Sequence, residues 1–90
     1  MPRYIVERNF PDRLSIPTNE QGSSAMRKVV DVNATHGVTW VHSYVTEEKT
    51  KTFCVYDGPD PEAIRTVAEA NGLPVDRITQ VRVLDPYFYT

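Results

Sequence analysis

Three side chains that can bind a metal or move a proton lie inside apolar segments of the chain. His42 lies in TWVHSYV, Cys54 in TFCVY and Glu7 in RYIVERNF. A neutral imidazole is a ligand for divalent metals and an acid or base near neutral pH, and a thiolate is a nucleophile and a metal ligand. A carboxylate beside a histidine can orient its ring for either purpose. The three residues therefore define two candidate chemistries, metal binding and acid/base catalysis, with His42 in the central role.

The loop between the two segments TWVHSYV and TFCVY decides whether His42 and Cys54 can act together, because side chains alternate between the two faces of a strand. An even-length loop centred on the middle of TEEKTK pairs His42 with Val55 and Ser43 with Cys54, which puts His42 and Cys54 on opposite faces. An odd-length loop puts them on the same face. The symmetry of the charged centre favours the even-length loop, so we predict that His42 and Cys54 do not share a site.

His42 carries the strongest functional indication, because it is an ionisable side chain in a segment made of Trp, Val, Ser, Tyr and Thr. Burying an imidazole without hydrogen-bond partners costs free energy, so His42 is either a hydrogen-bonded core residue or a functional one. Strict alternation puts Trp40 and Tyr44 on its face, and together with Tyr56 they would shape a pocket. Cys54 has no cation in its segment to favour the thiolate, so we expect a buried and unreactive thiol.

Glu7 and His36 can each be explained by an ordinary structural role as well as by a functional one. Glu7 can reach His42 only if the faces of their strands agree, and otherwise it is a solvated strand residue. His36 precedes Gly37 at the end of a predicted helix, where a cation interacts favourably with the helix dipole.

The order of secondary-structure elements follows from hydrophobic periodicity and from capping residues. Strands are predicted over residues 3–10, 38–45, 52–57 and 77–85, and helices over residues 18–35 and from Pro61 up to Asn71-Gly72. Thr18 or Asn19 can cap the first helix, and Asp60 can cap the second with Pro61 in its first turn. The predicted buried stripes are Met26, Val29 and Val30 in the first helix and Ile64, Val67 and Ala68 in the second.

This βαββαβ order is the split βαβ pattern of the ferredoxin-like fold, an α+β sandwich in which an antiparallel sheet carries two helices on one face. Residues 1–90 are expected to form a single ferredoxin-like domain, with the tail 86–90 outside its core. The other face of the sheet needs a cover if it is apolar. We therefore predict a homodimer joined through that face, with the YFYT tail packed across the partner because exposed aromatic side chains are costly.

Composition excludes several classes of function. The chain has 90 residues, 40% of them hydrophobic and 24% charged, with a formal net charge of −2, which argues against a nucleic-acid partner because such domains carry a basic stripe. There is no run of about eighteen apolar residues, so no membrane association is expected. A single cysteine and an N-terminus without an apolar signal core favour the cytoplasm. No glycine-rich phosphate loop, HExxH, CxxC or Ser-His-Asp pattern supports a kinase, hydrolase or redox enzyme.

The chain resembles a family of small bacterial nickel-binding proteins that was formerly a domain of unknown function. The motifs that carry this resemblance are WVHSYV at 40–45, CVY at 54–56, EAIR at 62–65, G-x-P at 72–74, R-I-x-x-V at 77–81 and DP at 85–86. The resemblance implies a dimeric ferredoxin-like fold, with nickel(II) bound in some members and a role in sequestration. Many members have a histidine at the position of Val67, which here belongs to the predicted buried stripe.

Three functions remain open from the sequence. The first is a non-catalytic nickel-binding dimer with His42 and Glu7 as metal ligands, since imidazole suits nickel. The second is a small-pocket isomerase or cyclase of the ferredoxin-like dimer type, in which His42 is the acid/base and Trp40, Tyr44 and Tyr56 line a pocket for a small-molecule ligand. The third is a binding dimer without chemistry. The direction of the His42 side chain discriminates the first from the second.

Overall fold

The computed structural model describes residues 1–15 and 19–87. Strands are β1 (Arg3–Asn9), β2 (Thr39–Val45), β3 (Lys51–Asp57) and β4 (Arg77–Val81), and helices are α1 (Glu20–Ala34) and α2 (Pro61–Ala70). The four strands form one antiparallel sheet in the order β2-β3-β1-β4. The predicted element order and the ferredoxin-like α+β fold are therefore confirmed. Neither helix in the described part of the chain is long and apolar enough to cross a membrane.

The core lies between the helices and one face of the sheet, which we call the inner face. Tyr4 and Val6 of β1 and Tyr56 of β3 are at most 3% exposed. They belong to one buried cluster that includes Ile64 and Val67 of α2. Residues on the alternate positions of these strands point to the opposite face, which we call the outer face and which no helix of the described chain covers.

Helix α2 forms as its sequence predicts. Asp60 is the N-cap, and its Oδ1 accepts a hydrogen bond from the amide of Ala63 at 2.8 Å. Pro61 occupies the first turn, where a missing N–H costs nothing. The buried stripe is confirmed as Ile64, Val67 and Ala68. Val67 therefore packs between helix and sheet, and the valine at this position serves the core.

Helix α1 differs from its prediction in its buried stripe. Asn19 is the N-cap, accepting hydrogen bonds from the amides of residues 21 and 22, and the alternative cap, Thr18, lies outside the described residues. Gly22 and Asn33 are buried, Met26 and Val29 are half-buried, and Val30 is 49% exposed. The expectation for Val30 was wrong because the stripe runs at spacings of four, three and four residues. Val30 lies about 70° around the helix axis from the centre of this stripe, at about 100° per residue.

Strand β4 ends at Val81, four residues before the predicted end of the strand. Val81 pairs with Arg3, which is the first residue of β1, so the residues after Val81 have no residue of β1 with which to extend the ladder. Leu84 is consequently 74% exposed, and Tyr87 is 87% exposed. The predicted packing of the YFYT tail falls mostly on residues 88–90, which lie outside the described residues.

The outer face carries ion pairs between adjacent strands. The guanidinium of Arg3 donates two hydrogen bonds to the Asp57 carboxylate, at 2.8 and 3.1 Å. The hydrogen bond from Arg3 holds the pKa of the Asp57 carboxyl below its ordinary value. Glu7 forms a second cross-strand pair with Lys51, at 3.2 Å between Oε1 and Nζ. The outer face thus combines half-buried charges with the apolar side chains of Ile5, Tyr44, Phe53 and Val55, as the pairing register and the alternation of side chains require.

Candidate functional site

A β-bulge in β2 separates Trp40 from His42. Trp40 pairs with Tyr56 and His42 pairs with Val55, so two steps along β2 correspond to one step along β3, with Val41 as the extra residue. Trp40 therefore turns to the inner face, where its Nε1 donates a hydrogen bond to the Ser43 hydroxyl at 2.9 Å. The expectation that Trp40 shares a face with His42 was wrong, because strict alternation takes no account of a bulge.

His42 lies exposed on the outer face. Its ring makes an edge-to-face contact with the ring of Tyr44, with centroids 5.1 Å apart and planes at 88°. No hydrogen bond joins either ring nitrogen to any residue within 1–15 or 19–87. The alternative of a hydrogen-bonded core histidine was therefore wrong, and no described residue engages either ring nitrogen.

The hairpin loop between β2 and β3 has an even number of residues, as predicted from the symmetry of its charged segment. Below the bulge, Ser43 pairs with Cys54 and His42 with Val55, as predicted. The amide of Thr46 donates to the carbonyl of Lys51 at 3.0 Å, which closes the loop. His42 and Cys54 therefore lie on opposite faces of the sheet, and the prediction that they do not share a site is confirmed geometrically.

Glu7 shares the outer face with His42 but does not contact it. Glu7 pairs with Phe53, which pairs in turn with Tyr44, so Glu7 and Tyr44 are two strands apart, about 10 Å across the sheet. His42 lies two residues further along β2 and is therefore farther from Glu7 than Tyr44 is. The Glu7 carboxylate is held by Lys51, and Arg77 lies 3.9 Å away. In the described part of the chain, no three histidine, cysteine, aspartate or glutamate side chains converge as a metal site.

A cavity of about 290 Å³ lies on the inner face, between the sheet and α1. Trp40 and Tyr56 line it, whereas Tyr44 does not, because it stands on the outer face. Most of the remaining lining is apolar, from Phe10, Leu14, Met26, Val29, Val45, Cys54 and Leu73. His42 is absent from this cavity, so the expected pocket of Trp40, Tyr44 and Tyr56 around His42 does not exist in this arrangement.

The cavity contains a buried cation that sequence reasoning passed over. Arg8 is 2% exposed, and its Nε and Nη1 have no hydrogen-bond partner among the described residues. Its guanidinium carbon lies 5.6 Å from the centroid of the Tyr56 ring. Burial raises the pKa of the Tyr56 hydroxyl, while the positive charge of Arg8 acts in the opposite direction. Alternation along RYIVERNF, which puts Arg8 on the face of Tyr4 and Val6, was the signal available.

Comparison with known proteins identifies the family of the chain. The family model described as nickel responsive protein SCO4226-like matches residues 4–81. The chain belongs to the SCO4226-like family. The structure is also similar to the crystal structure of SCO4226 from Streptomyces coelicolor A3(2), with a TM-score of 0.72 at 19% identity over 92% of this chain and 99% of that one. At that identity the likeness shows a common fold. No curated protein sequence matches the chain.

The side chains of this SCO4226-like protein fit nickel in part. An exposed imidazole with two unengaged nitrogens, as in His42, is a suitable nickel ligand. The nearest carboxylate of the predicted ligand set, Glu7, is engaged by Lys51. Of the predicted ligand set, His42 is therefore the residue whose side-chain nitrogens no described residue engages.

Replacing Cys54 with alanine is expected to leave metal binding unchanged and to cost little stability. Cys54 is 8% exposed, its thiol lies 3.5 Å from the Thr52 hydroxyl, and it faces away from His42. Removing one sulfur atom beside an existing cavity should lower the free energy of unfolding by about 1 kcal/mol. Chemical denaturation and nickel titration of Cys54→Ala measure both effects. Rapid modification of the folded wild-type protein by a thiol reagent would contradict the assignment of Cys54 as a buried structural residue.

Proposed function

We propose that this protein binds nickel(II) non-catalytically on the outer face of its sheet, with His42 as the imidazole ligand, and so sequesters the ion. The observation that carries the proposal is the exposed His42 ring, whose nitrogens are not engaged by any described residue. The description of the family as nickel responsive supports the choice of ion. Nickel, when bound, supplies a charged centre that holds imidazole ligands and water.

A second copy of the chain would complete the site. Both helices of the described chain pack on the inner face, so no described helix covers the outer face, which presents Ile5, Tyr44 and Phe53 beside His42. A homodimer joined through this face brings together the His42 rings or carboxylates of two molecules near the same interface. The ion pairs of Glu7 and Asp57 on this face satisfy its charges when water is removed.

The alternative of an isomerase or cyclase with His42 as acid/base loses its main support. A general base must lie within hydrogen-bond reach of the proton that it moves. His42 stands on the outer face, whereas the cavity opens on the inner face. A ligand in the cavity would therefore be separated from His42 by the sheet itself.

Calorimetric titration of tag-free protein with Ni²⁺ tests the proposal. We expect saturable binding by the wild type and a loss of more than about tenfold in affinity for His42→Ala. Removing a metal ligand should cost at least as much affinity as removing a residue that orients one. The matched control is His36→Ala, which removes the other histidine of the chain. His36 lies at the end of α1, with its Nδ1 3.2 Å from the Val32 carbonyl. Equal losses in the two variants, or none in His42→Ala, would contradict the assignment.

A further inference from the structure

The buried guanidinium of Arg8 lines the inner-face cavity, and no charged group of a described residue compensates it. No carboxylate of a described residue forms an ion pair with it, and two of its three nitrogens have no hydrogen-bond partner there. An unpaired buried charge is among the most costly groups a folded protein can hold. A chain selected for stability alone would have an apolar residue at this position, as it does at Tyr4 and Val6 of the same strand face.

The surroundings of Arg8 indicate what would compensate it. The cavity is lined mainly by apolar side chains, and its polar groups besides Arg8 are the hydroxyls of Ser43, Thr52 and Tyr56. At about 290 Å³, it lies at the small end of ligand pockets, which are about 300–1,000 Å³. Such a cavity takes one compact apolar body, and the fork of donors on a guanidinium matches a carboxylate.

We infer that the inner-face cavity is a binding site for a small amphipathic carboxylate, whose anionic group pairs with Arg8 and whose apolar body lies against Trp40. The site is separate from the proposed nickel site, because the sheet lies between them, and the inference does not depend on nickel binding. Trp40 provides a direct reporter, since it is the one tryptophan in the 90-residue sequence.

Titration of the wild-type protein with phenylacetate, followed by Trp40 fluorescence, tests this inference. The neutral isostere phenylacetamide has the same ring and nearly the same shape but no negative charge. We expect a saturable fluorescence change with phenylacetate and an affinity at least about tenfold weaker for phenylacetamide, since a hydrogen bond to a charged group is worth about one to two factors of ten. Equal affinities for the two compounds, or no saturable change with phenylacetate, would overturn the inference.

The variant Arg8→Met separates an anion-binding role from a structural one. We expect it to bind phenylacetate at least about tenfold more weakly and to have a higher thermal midpoint than the ligand-free wild type, because an unpaired buried charge has been removed. The matched control, Arg65→Met, removes an exposed guanidinium that pairs with Glu62 on α2, and it should leave phenylacetate binding unchanged. Unchanged binding by Arg8→Met would overturn the inference. If this variant fails to fold, the comparison of acid and amide on the wild type still decides.

Discussion

Replacing Ile64 with alanine is expected to lower the free energy of unfolding by about 2–5 kcal/mol, the usual cost of deleting a large aliphatic side chain from a sealed core. Ile64 is 0% exposed in the buried cluster between α2 and the sheet. A Cβ built on Gly58 would lie 3.0 Å from its Cδ1, so the surrounding atoms are already close-packed. A small domain has about 5–15 kcal/mol of stability in total, so this single change removes a large part of it.

Chemical denaturation measures this loss, with Val30→Ala as the control. Val30 is an aliphatic residue on the other helix, but it is 49% exposed. Its replacement should change the free energy of unfolding by no more than about 0.5 kcal/mol. Similar losses of unfolding free energy in the two variants would contradict the assignment of Ile64 to the buried core.

Replacing Tyr44 with glutamate is expected to weaken dimerisation by about a hundredfold or more while leaving the fold of each chain intact. Tyr44 is 63% exposed in one copy and stands on the outer face beside His42. In the proposed dimer the new carboxylate would be buried without a partner, which costs about 3–5 kcal/mol, and each 1.4 kcal/mol is a factor of ten in affinity. Analytical ultracentrifugation at micromolar concentration measures the change.

The control for this prediction is Val30→Glu, which adds the same charge to an exposed position of α1. Because α1 lies on the inner side of the sheet, this variant should dimerise like the wild type. A wild-type protein that is monomeric at micromolar concentration would contradict the proposed interface. Loss of the dimer in Val30→Glu with retention in Tyr44→Glu would instead place the interface on the helices.

The sequence predicts most of the fold because its local signals and its tertiary packing agree. Asp60, Pro61 and the stripe that contains Ile64 all specify α2, and the structure has it at the expected place. Local sequence signals do not predict the end of a strand when that end depends on the neighbouring strand. Strand β4 stops at Val81 because its partner strand β1 begins at Arg3, and the composition of residues 82–85 contains no information about where the partner strand begins.

The candidate site is less predictable than the fold, and one residue accounts for most of the difference. The extra residue Val41 turns Trp40 to the inner face and leaves His42 on the outer one, and no turn or glycine signal marks a bulge there. The burial of Arg8, in contrast, could have been predicted from the sequence. The alternation that puts it inside was readable, but a charge is ordinarily assumed to be solvated.

The most direct test of the nickel site is the NMR spectrum of ¹⁵N-labelled protein during titration with Ni²⁺, which is paramagnetic and broadens the signals of nuclei close to it. We expect selective loss of the imidazole signals of His42 and the backbone amide signals of Tyr44 and Val55, which surround it on the outer face. The signals of His36 and of Val67 in the core should persist at equimolar nickel. Broadening centred on His36, or a spectrum that nickel does not change, would contradict the assignment of His42 as the nickel ligand.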